Sequence, residues 1–353
     1  MGIKITESSI ISNYGKPYII AEIGANHNGD MMLAKKMIEI AANAGADCVK
    51  FQSWSVNSVF SKKVYEDNYF LNDDYRDRED TNLKDIVEKF SISEGQLLEM
   101  KKYCDELSID CMSTPFSKEE VDFLIDDLEA SFIKVASMDL NNYPLLKYFA
   151  QKKVPLIIST GLNELYEIDK AIKTIEETGN TDIIILHCVS IYPPENHEVN
   201  LKRITTLQQM YPDYPIGFSD HSLGHALPIA SVALGACIIE KHFTFDKEMD
   251  GWDHKVSADE QELVDICKGA HKVYESLGTS RVSAVEDSTR MIEFKRSLVL
   301  TRDIKKGEKI LATDLSAKRP GNGLKPELFD FIVGRTAAND IEADTVFQMN
   351  DLL

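Results

Sequence analysis

The chain has 353 residues, 43% hydrophobic and 27% charged, the balance of a folded chain with room for one large domain and a smaller one, and not of a disordered one. Its formal net charge of −19 argues against a nucleic-acid groove or an acidic membrane surface as the main partner. A few lysines in a pocket can still bind a small anion whatever the total.

The opening MGIKITESSI lacks the basic start and apolar run of a signal peptide, and no stretch approaches the roughly 18 apolar residues of a membrane span. Tyr18 to Gly24, YIIAEIG, reads as the first strand and runs into GANHNGD. Its glycines are spaced G-x-x-x-x-G, but Asp30 and Met31 stand where a nucleotide P-loop carries Lys-Ser/Thr. The loop is therefore expected to be a strand-to-helix turn, with Asn26 and His27 lining a site. MMLAKKMIEIAANAG has apolar residues at helical spacing and ends on Gly45, a C-cap signal. A second strand, Asp47 to Phe51, leads into a long polar segment, Phe60 to Asp85. That segment predicts a lid or a dimer contact, against the plainer reading of a solvated loop.

A helix around Glu94 to Leu107 follows, then six more strand-like runs: IDCMST, SFIKVAS, VPLIIST, DIIILHC, YPIGFSD and ACIIEKHF, each before helix-compatible sequence. Alternating strands and helices imply a parallel sheet, and eight such units point to an α/β (β/α)8 barrel, with an open doubly wound sheet as the alternative. The six cysteines show no C-x-x-C or zinc-like spacing, and several sit in these apolar runs. A reducing cytoplasm is the expected compartment. The last 60 residues gain Gly, Pro and β-branched residues, and DIKKGEKILATDL (Asp303 to Leu315) repeats imperfectly as DIEADTVFQMNDL (Asp340 to Leu352). These features predict a barrel over 1–285 and a small β-rich domain over 286–353.

Barrel chemistry gathers at the carboxyl ends of the strands. Those ends offer Glu22 with Asn26 and His27; Lys50 and Gln52; Ser113 and Thr114; Lys134 and Ser137; Ser159 and Thr160; His187; Ser219, Asp220 and His221; Glu240 and His242. Two histidines on neighbouring strands, His221 and His242, suit a divalent metal, or else a hydrogen-bonded pair in the mouth. Lys50 and Lys134 imply an anionic partner, either a phosphate- or carboxylate-bearing ligand or the carboxylates Glu22 and Glu240. A Schiff-base aldolase with a lysine nucleophile is a third chemistry.

These residues resemble the sialic acid synthase family, on nine motifs in order: IIAEIGANHNGD, AGADCVKFQ, STPFS, IKVASMDLNNYPLL, PLIISTG, LHCVSIYP, IGFSDHSLG, IIEKHFT and KRPGNG. The resemblance implies a TIM barrel followed by an antifreeze-like (SAF, β-clip) domain. It also implies condensation of phosphoenolpyruvate with an N-acylated amino sugar to a nine-carbon 2-keto-3-deoxy acid. His221 and His242 would hold Mn2+ or Mg2+, and Glu22 would activate water. Lys50, Thr114, Lys134, Ser137, Ser159 and Ser219 would bind phosphoenolpyruvate. Gln52, Tyr192, Glu240 and Asp253 would meet the sugar. Arg319 would enter the site of another subunit in a domain-exchanged homodimer. Alternatives are a condensation giving a seven- or eight-carbon keto acid, and a non-catalytic carbohydrate-binding barrel. Trp252, where the family usually has proline, and Ser190, where asparagine is frequent, leave the acceptor's substituents open.

Overall fold

The computed structural model describes residues 2–68 and 82–353. The chain divides into two compact units, Met1–Gly278 and Thr279–Leu353. In the first unit, β1 (Ile3–Lys4) and β2 (Ile10–Ile11) form an antiparallel hairpin. Eight parallel strands follow: β3 (Tyr18–Gly24), β4 (Cys48–Gln52), β5 (Asp110–Thr114), β6 (Ile133–Val135), β7 (Leu156–Ser159), β8 (Ile183–Cys188), β9 (Ile216–Asp220) and β10 (Ile238–His242). Their order is β5-β4-β3-β10-β9-β8-β7-β6. The sheet curves until β5 and β6, at its two ends, pack against each other, which makes the (β/α)8 barrel expected from the alternation.

The strands are apolar on both faces because both are covered. Ile19, Ala21, Ile23, Val49 and Phe51 pack outward with the helices Met31–Ala44 and Glu260–Leu277. Ile133, Val135, Leu156, Ile158, Ile183, Ile185, Ile216 and Phe218 do the same on the other half. The alternate residues Tyr18, Ile20, Cys48, Met112, Ile157, Ile184, Leu186 and Ile238 fill the interior, together with Ile3, Ile5 and Ile11 from the hairpin segment. A residue two steps beyond this inner layer points into the barrel mouth.

The first strand-to-helix turn shows how local sequence sets this geometry. Asp30 caps the helix Met31–Ala44 by accepting from the Met32 and Leu33 amides, and Gly45 ends it in the left-handed region at φ +89°. Gly29 has φ +77°, and a Cβ there would lie 2.3 Å from the Lys89 carbonyl oxygen, so only glycine fits.

In the second unit, β11 (Ser297–Leu300) and β12 (Leu315–Lys318) pair antiparallel. The duplicated segments meet at equivalent positions: the Ile304 and Ile341 backbones exchange both hydrogen bonds at 2.9 Å. Leu298, Leu300, Ile304, Ile310, Ile341 and Phe347 form that unit's own core. All six cysteines are buried and unpaired. Among the described residues no helix is long and apolar enough to cross a membrane. The predicted lid or dimer segment, Phe60 to Asp85, falls partly on residues 69–81, which lie outside the described residues.

Candidate active site

The strand alternation sorts the polar strand ends into two sets. Glu22, Lys50, Gln52, Thr114, Lys134, Ser159, Ser219, Glu240 and His242 continue the inner layer, and with Ser137, Cys188, Tyr192 and His221 they line one cavity of about 360 Å3. Trp54, Phe116, Ala136, Met138 and Leu162 give that cavity an apolar wall.

The outward set does not line it. His187 donates from Nε2 to the Val199 carbonyl at 2.7 Å and stacks on Phe218. Ser113 bonds Ser53 at 2.5 Å, and Thr160 donates to the Leu186 carbonyl. Asn26 and His27, expected to line the site, are not among the residues of this cavity either. Asn26 donates to the Phe243 carbonyl and Ser257 Oγ, tying the β3 turn to the segment after β10. His27 is fully buried against Phe51, and its Nδ1 accepts from the Gly29 amide at 3.0 Å. Both are braces under the mouth.

At the cavity floor, Lys50 is ion-paired with Glu22 and donates to Thr114 Oγ1 at 2.8 Å. Glu240 stands between the two lysines, 3.7 Å from Lys50 Nζ and 3.6 Å from Lys134 Nζ, and accepts from Ser219 at 2.8 Å. All four charged groups are at least 94% buried. Burial pushes the Glu22 carboxyl up to about 7, with Lys50 pulling the other way and the Glu240 charge adding to the rise. Burial also disfavours charge on Glu240, but the two lysines overcome it and hold its carboxyl down at about 2. Burial lowers Lys134, only partly offset by Glu240. Burial opposes charge on Lys50 too, yet Glu22 and Glu240 hold its ammonium above the usual range. Glu240 is thus a fixed anion, and Glu22 a carboxyl poised near neutrality.

The ring centroids of His221 and His242 lie 5.5 Å apart, and Tyr192 stacks on His221 at 4.1 Å. Two imidazoles bound to one divalent ion with nitrogen–metal bonds of ~2.1 Å place their centroids roughly 5 Å apart. His221 Nδ1 bonds the Val189 carbonyl at 2.8 Å, so that nitrogen carries the proton and leaves Nε2 as the ligand atom. His242 Nδ1 is buried without a hydrogen-bond partner, with Asp253 Oδ2 3.8 Å away. An orphaned imidazole nitrogen beside a second, tautomer-fixed imidazole fits a divalent metal. Among the described residues, no group of three His, Cys, Asp or Glu side chains is arranged to hold one, so remaining ligands would be water or substrate oxygen.

Arg319 belongs to the second unit, where its guanidinium lies over the Phe294 ring at 4.8 Å. Trp252 packs on Trp54 at 4.9 Å and Phe90 at 6.5 Å. Cys188 was missed: its Sγ lies 3.9 Å from His221 Nδ1. Counting by twos from Ile184 and Leu186 would have found it.

The chain matches the NeuB family model over residues 37–282 and the SAF domain model over residues 295–353. It is 37% identical to the N,N'-diacetyllegionaminic acid synthase of Campylobacter jejuni, covering 94% of this chain and 99% of that protein. It is 36% identical to the enzyme of the same name from Legionella pneumophila, covering 93% and 92%. The solved N-acetylneuraminic acid (sialic acid) synthetase of Leptospira borgpetersenii, in complex with citrate, superposes with a TM-score of 0.72 at 30% identity, covering 82% of this chain and 94% of that one.

Proposed function

Since the chain belongs to the NeuB family and carries a SAF domain, we propose that it condenses phosphoenolpyruvate with an N-acylated amino sugar to a nine-carbon 2-keto-3-deoxy acid. The observation that carries the reading is the inward ring of Glu22, Lys50, Lys134 and Glu240 beneath the two histidines, in a single cavity. Phosphoenolpyruvate brings a carboxylate and a phosphate. Lys50 and Lys134 answer them, with Thr114, Ser137, Ser159 and Ser219 as hydrogen-bond donors around the same cavity.

The reaction forms a C–C bond from the enol methylene to the acceptor's aldehyde carbon and leaves positive charge at C2 of phosphoenolpyruvate. Glu240, which the resemblance puts with the sugar, instead lies between the two lysines and, held ionised, would stabilise that charge. The aldehyde oxygen takes a proton to become a hydroxyl, water adds at C2 as Glu22 takes one of its protons, and the C–O bond to phosphate then breaks as the second proton leaves with the phosphate, giving the keto group. A base near neutrality suits that transfer. A Mn2+ or Mg2+ ion on His221 and His242 would supply Lewis acidity at the aldehyde oxygen.

Gln52, Tyr192 and Asp253 take the acceptor's polar groups. The wall of Trp54, Phe116, Met138 and Leu162 favours methyl and acetamido substituents, hence a diacetylated 6-deoxy sugar over N-acetylmannosamine. A second copy supplies Arg319 to the acyl group in a domain-exchanged homodimer. The unpaired cysteines fit a reducing cytoplasm.

The test is phosphate release from phosphoenolpyruvate with a panel of these two sugars and phosphorylated aldoses, with and without chelator. Release with an amino sugar, lost in Lys134→Met, is expected. Release only with a phosphorylated aldose refutes the acceptor class, and chelator-resistant turnover refutes the metal.

A further inference from the structure

Outside the cavity, the outward faces of β9 and β10 carry Ile216, Phe218 and Ile239. Phe218 and Ile239, facing each other across the two strands, belong to this outward layer. One pleat nearer the mouth, Asp220 and Lys241 face each other instead, with side chains 1% and 0% exposed. Lys241 Nζ donates to Asp220 Oδ2 at 2.7 Å and also to the Ser222 carbonyl. Asp220 Oδ1 in turn accepts from the Ser222 amide at 3.0 Å.

A buried ion pair of this kind is poor value as stabilisation, since well-packed apolar residues of similar volume are often as stable or better. Its placement suggests another use. Asp220 and Ser222 are the residues on either side of His221, and Lys241 is the residue before His242. One ammonium on β10 therefore grips both flanks of the turn that presents the first imidazole, from the backbone position adjacent to the second.

We infer that Lys241 and Asp220 are positioning residues that fix the spacing of the His221 and His242 imidazoles, and so the divalent-metal affinity of the site. The Val189 carbonyl holds the His221 ring from the far side, so the ring is fixed by its own hydrogen bond and its backbone by the ion pair. Outer-shell partners of this sort change metal affinity by ten- to a hundredfold without touching the ion. The inference rests on the reading of the two histidines as a metal site.

The test uses the full chain stripped of metal and titrated with Mn2+ alone, with free Mn2+ followed by electron paramagnetic resonance and folding by thermal melts. The double variant Asp220→Leu/Lys241→Met removes both charges together. Asp220→Asn keeps the oxygen that caps Ser222 but weakens the hold on the lysine. The double variant is expected to melt cooperatively and bind Mn2+ ten- to a hundredfold more weakly, with a smaller loss in Asp220→Asn and none in a surface control, Lys173→Met, which removes only an exposed pair with Asp169. A folded variant of either kind with wild-type Mn2+ affinity overturns the inference and leaves the metal site standing. If the double variant does not fold, Asp220→Asn decides on the same criterion. Wild-type chain that binds no Mn2+ overturns the metal reading itself, and this inference with it.

Discussion

Acidification should loosen the barrel through His27, at the turn between β3 and the helix Met31–Ala44. Burial holds this imidazole down at about 4, with Asp30 opposing weakly, against roughly 6.5 in an unfolded chain. The geometry agrees, because Nδ1 accepts from the Gly29 amide and so must be unprotonated. Below about 6.5 the unfolded state takes up a proton that the folded state refuses. The contribution is therefore complete above that pH and is lost as pH falls towards 4. Over the whole window the loss is about 3 kcal/mol, and at pH 5 about 2 kcal/mol, at 1.36 kcal/mol per unit. Glu22, pushed up to about 7, works in the opposite direction, stabilising below the unfolded carboxyl range and losing that contribution as pH rises through 7. A comparison of wild type with His27→Gln cancels Glu22 and every other group. At pH 7.5 the variant should be less stable by roughly 1–2 kcal/mol for its lost hydrogen bond, and by pH 5 the two should converge. Urea unfolding read by tryptophan fluorescence is suitable, because both tryptophans, Trp54 and Trp252, lie in the barrel unit. A stability difference that stays constant from pH 7.5 to 5 refutes the reasoning, as does an NMR titration midpoint for His27 near 6.5.

Three further outcomes are expected. Glu22→Gln keeps the shape of the side chain and removes the base, so kcat should fall by roughly 10²–10⁴ while the KM for phosphoenolpyruvate changes little; a fall confined to KM would reassign Glu22 to binding. His187→Ala should cost about 1–3 kcal/mol of stability by leaving the Val199 carbonyl unbonded, yet leave kcat and both KM values within twofold. A large kinetic loss in a folded His187→Ala chain would contradict its outward placement. Arg319→Ala should raise the KM for the acceptor about tenfold or more and leave the KM for phosphoenolpyruvate unchanged. A monomeric wild-type chain with full activity, by sedimentation and assay together, would sink the exchanged-domain proposal.

The barrel was legible because each strand carries apolar residues on both faces, and because caps such as Asp30 and Gly45 mark helix ends in the sequence itself. The duplicated segments of the second unit were legible as a repeat; their mutual pairing at Ile304 and Ile341 was not, since repetition alone does not say which copy meets which. At the candidate site the sequence reading gathered every polar strand end, whereas a closed barrel admits only one phase of each strand. Ser113, His187 and Asp220 were gathered on the wrong phase, and Cys188, on the right one, was passed over as a small hydrophobe.

The lysines mark a different limit. Charge and burial alone say that two ammoniums in one mouth need anions, but not whether protein or ligand provides them. Glu22 and Glu240 provide them here, which looks at first like the structural alternative to a ligand site. The proposed function accommodates this, because the pairs are unequal. Glu240 is shared by both lysines and held at about 2, while Glu22, with Lys50 its only ion-pair partner among the described residues, is pushed up to about 7. A trianionic ligand arriving between the lysines would take Lys50 from a carboxyl already half disposed to hold a proton, at little electrostatic cost. On the proposed function, ion pairing in the free chain and anion binding in the working one would be two states of the same four residues.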